Sequence, residues 1–319
     1  MTPNTLLLGL GAGLISAIVF ASATTGPMLA RLALFFLTPL SLYLAGLGLG
    51  PGAAAIAAIA ATAAVALITN PGAALVFGVS EALPAVMLTR QALLARGEAE
   101  NREWFPTGNM VATAALLGGG SAVLMLILMG ADVEALSKSM RGFVEHFVKT
   151  ELPGLPGSPA ISEQQIPQIA EIALRLLPGL LAAVVMATIL LNLWIAGRVT
   201  LASGRLTRPW PDLASLALPA TATFAFLAAL ALSFLGGFGG LAAGAFVGTY
   251  FFAFVLMGLA VAHYVSRGSP WRGFTLTALY LALAVYYPST TLILALIGLG
   301  ETFFGYRAAM TRDPPPGHS

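Results

Sequence analysis

The sequence predicts an all-α fold, a polytopic bundle of transmembrane helices, and two observations lead to this prediction. Of the 319 residues, 58% are hydrophobic and only 9% are charged, whereas soluble domains carry about 25% charged residues. The apolar residues also form runs of about 20, the length that an α-helix needs to cross a bilayer. Such a chain cannot cover a water-facing surface, so its main expected partner is the lipid bilayer. A formal net charge of only +2 gives no indication of a nucleic-acid partner.

Eight apolar runs are long enough for full spans, and short turns containing Gly, Pro or Asn separate most of them. They cover residues 6–23, 32–49, 52–69, 73–94, 108–129, 169–197, 213–235 and 241–265. The tail at 274–306 is interrupted by Tyr-Tyr-Pro-Ser at 286–289, which predicts two shorter helices. The tail is therefore expected to form a C-terminal helical hairpin that either spans twice or stops partway through the bilayer.

The polar segment between the fifth and sixth runs predicts an amphipathic helix outside the bilayer. Its apolar residues recur at spacings of three and four from Val133 to Phe147, with acids and bases on the other face. Prolines at 153, 156 and 159 then indicate an irregular linker. The segment is either a connector lying on lipid headgroups or a lid over an outward-facing cavity. We therefore predict one integral membrane domain, 1–312, with 131–167 as its outer segment, and a flexible tail at 313–319.

The basic residues predict that both termini lie in the cytoplasm, because cytoplasmic loops carry an excess of Arg and Lys. In this orientation ten of the 15 basic residues are cytoplasmic: Arg90, Arg96, Arg102, Arg198, Arg205, Arg208, Arg267, Arg272, Arg307 and Arg312. Two termini on one side require an even number of spans, which eight runs and a hairpin provide. The abundance of Ala and Gly favours a bacterial source, and hence the bacterial cytoplasmic (inner) membrane.

Small residues occupy one face of the first predicted helix. Gly9, Gly13, Ala17 and Ala21 follow one another at a spacing of four, which places them on the same side of the helix. In lipid, such a face lets two helix backbones approach closely. The pattern predicts a contact with another helix, either within this chain or in a partner membrane protein.

Glu81 is the sharpest candidate for a functional residue, because it lies in the middle of the fourth apolar run. A charged acid at the bilayer centre costs about 2.5–3.5 kcal/mol, so Glu81 should face the bundle interior or a wet cavity, either protonated or paired. Ser80 and Asn192, with Ser41 and Tyr43, are the expected polar neighbours. The carboxyl group either makes one structural hydrogen bond or lines a ligand or proton site. Glu81, Ser80 and Asn192 are therefore the candidate ligand-binding residues.

The sequence predicts no enzyme, metal site or cofactor. The run Gly78-Val-Ser-Glu81 differs from the Gly-x-Ser-Gly signature of intramembrane serine proteases in its last residue. There are no cysteines and three histidines, without metal-ligand spacing, and no Walker A lysine motif. His263, beside Tyr264 and Arg267, is interpreted as an interfacial anchor. Glu301 and Arg307 are six residues apart, so a direct pair is not expected on a regular helix.

Two stretches of the later sequence resemble a known family. The run Leu191-Asn-Leu-Trp-Ile-Ala-Gly-Arg-Val199, a basic loop and then Pro211-Asp-Leu-Ala-Ser-Leu-Ala-Leu-Pro219 precede a tail that closes with Gly298-Leu-Gly-Glu-Thr-Phe-Phe-Gly-Tyr-Arg307. This order resembles the YybS-like bacterial membrane proteins, a domain of unknown function. The resemblance covers most of the chain through its helix layout.

An earlier stretch looks like a second family. The segment Leu37-Thr-Pro-Leu-Ser-Leu-Tyr-Leu-Ala-Gly-Leu-Gly-Leu-Gly-Pro-Gly52, followed by an Ala-rich helix, is similar to the early helices of energy-coupling-factor S-components. That likeness implies a membrane subunit that binds a small molecule and docks on a partner through small residues of its first helix.

Two functional hypotheses follow from these features. In the first, the protein binds an unknown small molecule from outside and moves it inward with energy supplied by another protein. In the second, it is a membrane scaffold or assembly protein with no transported ligand.

Overall fold

The computed structural model describes residues 2–23, 26–98, 101–152 and 161–308, and this part of the chain is almost entirely helical. The helices are α1 (Pro3–Ser22), α2 (Met28–Leu37), α3 (Leu40–Leu49), α4 (Pro51–Ile68), α5 (Pro71–Phe77), α6 (Leu83–Leu93), α7 (Thr107–Leu128), α8 (Val133–His146), α9 (Ile166–Ala202), α10 (Ala220–Ser233), α11 (Gly237–Val265), α12 (Arg272–Val285) and α13 (Tyr287–Phe304). The strands β1 (Ala95–Arg96) and β2 (Glu103–Trp104) pair antiparallel in one small sheet. The predicted all-α membrane bundle is confirmed.

Among the described residues, seven helical spans are long and apolar enough to cross a membrane: Pro3–Ser22, Met28–Leu49, Pro51–Ile68, Pro71–Leu93, Thr107–Leu128, Ile166–Ala202 and Gly237–Val265. Two of these spans are each built from two helices. Met28–Leu49 contains α2 and α3, with a break at Pro39. Pro71–Leu93 contains α5 and α6, joined by a π-helical turn over Gly78–Ala82. One residue is inserted into the helix at such a turn, and π-turns occur often at functional sites.

The predicted span at 213–235 differs most from the structure. Only Ala220–Ser233, 14 residues, is α-helical there, which corresponds to about 21 Å against a hydrocarbon thickness of about 30 Å. Leu213–Ser215 form a short 3₁₀ turn, and the chain stays non-helical up to Pro219. Pro211 and Pro219 explain the difference, because proline lacks the N–H that a continuous helix needs.

The chain nevertheless returns across the bundle between α9 and α11, because these two helices run parallel. Near their beginnings, a Cβ on Gly248 would overlap the backbone of Gly179. Near their ends, Gly197 and His263 line the same cavity. Residues 203–236 must therefore carry the chain back, and α10 forms the helical part of this return.

A buried ion pair stabilises the non-helical part of the return. Arg307 donates to the carbonyl oxygens of Ala214 (2.9 Å) and Leu216 (3.0 Å). Its guanidinium thereby supplies the hydrogen-bond partners that these buried backbone groups need. The Arg307 Nε donates to the Glu301 Oε1 at 2.8 Å. The sequence-based expectation of no direct pair was wrong, because α13 ends at Phe304 and the next residue, Gly305, has a φ of 58° that turns the chain back toward Glu301.

Small residues set the closest helix contacts of the bundle. A Cβ on Gly9 would lie 3.2 Å from the Ala53 carbonyl oxygen, and one on Gly13 would overlap the backbone of α4. The beginning of α1 therefore packs against α4. Gly258 of α11 and Gly298 of α13 meet in the same manner.

The predicted amphipathic helix is present as α8, and it packs on the first turns of α9. Val144 of α8 shares a small apolar cluster with Ile166 and Ala170. The predicted proline linker at 153–160 and the flexible tail at 313–319 lie outside the described residues.

Candidate functional site

Two cavities lie along α9 and α11, one toward each end of these parallel helices. The first, here called the basic-end cavity, measures about 880 Å³ and lies near the C-terminal ends of α9 and α11. Its walls are mostly apolar. Its polar lining comprises Thr107, Trp194, Arg208, Trp210, Asp212, His263, Arg267, Arg272 and Tyr280.

The second, here called the α8-end cavity, measures about 900 Å³ and begins near the N-terminal ends of α9 and α11. Val133 and Ser137 of α8 line it, together with Glu171, Arg175 and Ser233. Glu171 and Arg175 form an exposed ion pair at 2.7 Å. Gly179, Gly244 and Gly248, the glycines of the α9–α11 crossing, also line this cavity.

Leu259 of α11 lines both cavities. The neighbouring residues divide between them, since Val255 faces the α8-end cavity and Leu256 the basic-end cavity. Helix α12 also contributes to both, through Leu283 and Tyr280 respectively. The two cavities therefore approach each other around Leu259, with α12 along one side.

Charged groups concentrate in the basic-end cavity. Asp212 and Arg267 form an ion pair with Nη2 and Oδ1 2.5 Å apart. The hydrogen bond from Arg267 lowers the pKa of the Asp212 carboxyl below its usual value, and the bond in turn raises the pKa of Arg267. His263 Nε2 and Tyr280 Oη lie 2.9 Å apart, linking α11 to α12.

Arg208 lies in the wall of this cavity and is only 9% exposed. Its Nη1 lies 3.3 Å from the Ala92 carbonyl oxygen and 3.5 Å from the Met110 sulfur. Burial lowers the pKa of the Arg208 guanidinium from its usual value. Among the described residues, no acid forms an ion pair with it. The arrangement offers a positive group to the cavity without a neutralising partner.

Glu81, the predicted centre of a ligand site, lies in the bundle interior, which is one of the two locations expected from the sequence. Glu81 sits in the π-helical turn and is 5% exposed, and its Oε2 has no hydrogen-bond partner among the described residues. The hydroxyl of Tyr43 in α3 is likewise buried without a described partner. Glu81 lines neither of the two cavities. The structure thus encloses this carboxyl group in the packed interior between α3, α4 and α7.

Ser80 and Asn192 do not join Glu81 through hydrogen bonds among the described residues. The Ser80 hydroxyl donates to the Val76 carbonyl oxygen, one turn earlier in its own helix. The Asn192 Nδ2 donates to the carbonyl oxygens of Phe36 (2.6 Å) and Thr188 (2.8 Å). Asn192 therefore ties α9 to the end of α2, beside the break at Pro39.

The small-residue face of α1 is covered within the chain over most of its length. Gly9, Gly13 and Ala17 are buried, and Gly9 and Gly13 lie against α4. The opposite side of α1 carries exposed leucines and isoleucines, among them Leu7, Leu14 and Ile18.

A comparison with models of known protein families finds a match. A family model described as "Predicted membrane protein (DUF2232)" matches residues 14–300. The chain belongs to the DUF2232 family. No curated protein and no solved structure matches it. The DUF2232 match covers both cavities and the Glu81 turn but ends before Arg307.

Within the described residues of this DUF2232 protein, no group of three or more His, Asp or Glu side chains could hold a metal ion. The charged and aromatic groups that line the basic-end cavity are mostly basic or aromatic, with Asp212 as its acid. Sequence reasoning placed Arg208, His263 and Arg267 at the cytoplasmic boundary but did not identify them as cavity residues. The prolines at 209, 211 and 219 were the available signal, because they indicate a loop that cannot continue as a helix.

Proposed function

We propose that this protein is a membrane subunit that binds a small amphipathic molecule and moves it inward across the bacterial cytoplasmic membrane. The two cavities that approach each other at Leu259 carry this proposal. Each has the size of a small-molecule site, typically about 300–1,000 Å³. Their walls are apolar, with polar groups concentrated at the outer parts of the cavities, as a molecule with a hydrocarbon body and a polar head requires.

The basic residues give the proposed direction. Arg198 lies near the C-terminal end of α9, and Arg208 and Arg267 follow α9 and α11 in the chain. If these C-terminal ends face the cytoplasm, the α8-end cavity opens to the outside. A ligand would then bind first beneath α8, whose Val133 and Ser137 line the cavity. This arrangement favours the interpretation of the outer segment as a lid.

A partner protein would supply the energy, as the resemblance to energy-coupling-factor S-components implies. The chain carries no nucleotide-binding motif of its own. Because Gly9 and Gly13 already pack on α4, a partner would meet the exposed opposite side of α1. The proposal assigns no catalytic step to the chain, since the cavity residues are arranged for binding.

The transport proposal is tested by measuring whether an amphiphile passes Leu259, where the two cavities approach each other. We expect proteoliposomes containing the protein to exchange a fluorescent amphiphile between leaflets, measured by quenching with an impermeant reductant. Leu259→Trp should slow the exchange about tenfold or more, because a larger side chain closes the point where the cavities meet. Leu296→Trp is the matched control, because Leu296 is 58% exposed on α13 and lines neither cavity. Exchange down a concentration gradient needs no energy from a partner. Equal exchange in both variants, or none with any head group in the wild type, would therefore contradict the proposal.

One observation favours the second candidate, a scaffold without a transported ligand. Glu81, the residue expected to line a transport site, is enclosed in the interior and lines neither cavity. A scaffold would use the exposed apolar side of α1 to meet its partner, and it would leave the exchange assay at the rate of empty liposomes.

A further inference from the structure

Arg208 presents a buried positive charge to the basic-end cavity. A guanidinium has five N–H donors and stays protonated in proteins. Within the part of the chain that the structure describes, the hydrogen-bond partners of this guanidinium are the Ala92 carbonyl oxygen and the Met110 sulfur, both at Nη1, and neither carries a charge. A charge taken out of water without a counter-charge is strongly destabilising. Arg208 lines the basic-end cavity, so an anion bound there can reach the guanidinium.

The remaining charged groups of the cavity do not neutralise Arg208. Asp212 is the single acid among the described residues that line it, and Arg267 already pairs with Asp212. Arg272 adds a further positive charge at the cavity. With one acid against Arg208, Arg267 and Arg272, the lining carries an excess of positive charge. The cavity is therefore complementary to an anion.

The opposite wall is hydrocarbon. Leu190 and Leu193 of α9, with Leu256 and Leu259 of α11, line the cavity and lead from the arginines toward the bundle centre. Trp194 and Trp210 flank the polar end. A small hydrophilic anion would leave this wall uncovered, whereas an attached hydrocarbon chain would bury it.

We propose that the basic-end cavity binds an amphiphile of net negative charge, in which a phosphate-type anion without a cation of its own is joined to a hydrocarbon chain, with Arg208 contacting the anion. Guanidinium matches phosphate geometry with paired hydrogen bonds. The chemistry is shared by an anionic membrane phospholipid and by a free alkyl phosphate. This inference names the ligand class for the inner part of the proposed path and rests on the proposed function for its role there.

Binding to the purified full chain in nonionic detergent tests the inference. The probes are hexadecyl phosphate, the zwitterion hexadecylphosphocholine with the same chain, and inorganic phosphate. Tryptophan fluorescence reports binding directly, because Trp194 and Trp210 line the cavity. Replacing Trp104 and Trp271, which line neither cavity, by Phe leaves these two as the reporters.

We expect hexadecyl phosphate to bind at least about tenfold more tightly than the zwitterion, the effect of one charge-assisted hydrogen-bonded contact. Arg208→Gln should remove this preference. Arg90→Gln should retain it, because Arg90 is an exposed arginine at the end of α6 that lines neither cavity. Equal binding of the two amphiphiles by the wild type, or an unchanged preference in Arg208→Gln, would overturn the proposal. So would competition by inorganic phosphate as strong as that by hexadecyl phosphate.

If Arg208→Gln does not fold, two further variants decide. Arg208→Lys keeps the charge but loses the paired geometry, and Leu193→Phe adds volume to the apolar wall without adding another fluorescent indole. Weaker binding of hexadecyl phosphate by both variants supports the site, and unchanged binding by both overturns it.

Native mass spectrometry shows whether the natural ligand is a membrane phospholipid or a free alkyl phosphate. A phospholipid retained by the wild type but not by an Arg208 variant identifies a resident lipid, whereas binding of hexadecyl phosphate without a retained lipid identifies a free amphiphile.

The exchange assay separates this inference from the proposed function. Arg208-dependent binding without any exchange across Leu259 would support the anion site and contradict transport. Exchange of hexadecyl phosphate that does not depend on Arg208 would contradict the anion site and support transport.

Discussion

At the scale of single residues, the burial of some polar groups can be predicted from the sequence. The burial of others depends on where the chain folds back on the bundle. Glu81 is visible in the sequence, because an acid within an apolar run is rare. Arg208 looks like any other basic residue of a cytoplasmic loop, and its burial depends on how residues 206–218 fold back against α7. Arg307 reaches Glu301 only through the turn at Gly305. Linear spacing cannot predict such contacts.

Substitutions at Glu81 test whether its surroundings are packed and uncharged. We expect Glu81→Gln to retain the thermal unfolding temperature of the wild type, because the amide has nearly the same volume. Glu81→Lys should destabilise the protein by several kcal/mol, since it buries a charge without a partner. Differential scanning fluorimetry in detergent measures both. Glu98→Lys is the control at an exposed position, and a loss in Glu81→Gln as large as in Glu81→Lys would show a paired carboxylate instead.

The Asp212–Arg267 pair gives a pH-dependent prediction. Because Arg267 lowers the pKa of Asp212 in the folded protein, the pair stabilises the fold above the unfolded pKa of Asp, about 3.9. This contribution is lost as the pH falls through the lower, folded pKa. We expect Asp212→Asn to lower the unfolding temperature at pH 7, with a difference that shrinks below about pH 4. A difference in unfolding temperature that grows as the pH falls would contradict the prediction. Glu98→Gln serves as the control.

At the scale of elements, hydrophobic runs predicted the long helices well, but helix interruptions were harder to predict. The runs at 6–23, 52–69 and 108–129 correspond to α1, α4 and α7 within a few residues. The run at 213–235 is as apolar as these, yet its first part is non-helical and its backbone is satisfied by Arg307. Hydropathy reports solvation by lipid or protein interior, and it does not report which backbone groups bond to one another.

The crossing of α9 and α11 depends on glycine. A Cβ on Gly248 would overlap the Gly179 backbone, whereas one on Gly239 meets nothing within 4 Å. We expect Gly248→Ala to destabilise the protein by about 1–3 kcal/mol through overpacking. Gly239→Ala in the same helix should be neutral or stabilising, because alanine favours a helix by about 1 kcal/mol over glycine. Thermal unfolding of the two variants measures the difference, and equal stabilities would place the helices farther apart than described.

At the scale of the whole molecule, the sequence predicted a multi-pass α-helical membrane protein, and both the helices and the DUF2232 match support that class. It did not predict the cavities. Cavities form where helices of unequal length leave gaps, as short α10 and α12 do beside the 37-residue α9 and the 29-residue α11. Helix lengths and crossings of this kind arise from tertiary packing, so a search along the sequence favoured an isolated polar residue, Glu81, over the arginines around a cavity.

Cysteine labelling tests most directly whether the two cavities open to opposite sides of the membrane. The chain contains no cysteines, so each variant carries a single label site. Ser233→Cys lines the α8-end cavity, Leu213→Cys lines the basic-end cavity, and Leu296→Cys lines neither. With an impermeant maleimide, Ser233→Cys should react in intact cells, Leu213→Cys only after permeabilisation, and Leu296→Cys in neither case. Reaction of Ser233→Cys and Leu213→Cys from the same side would contradict the account.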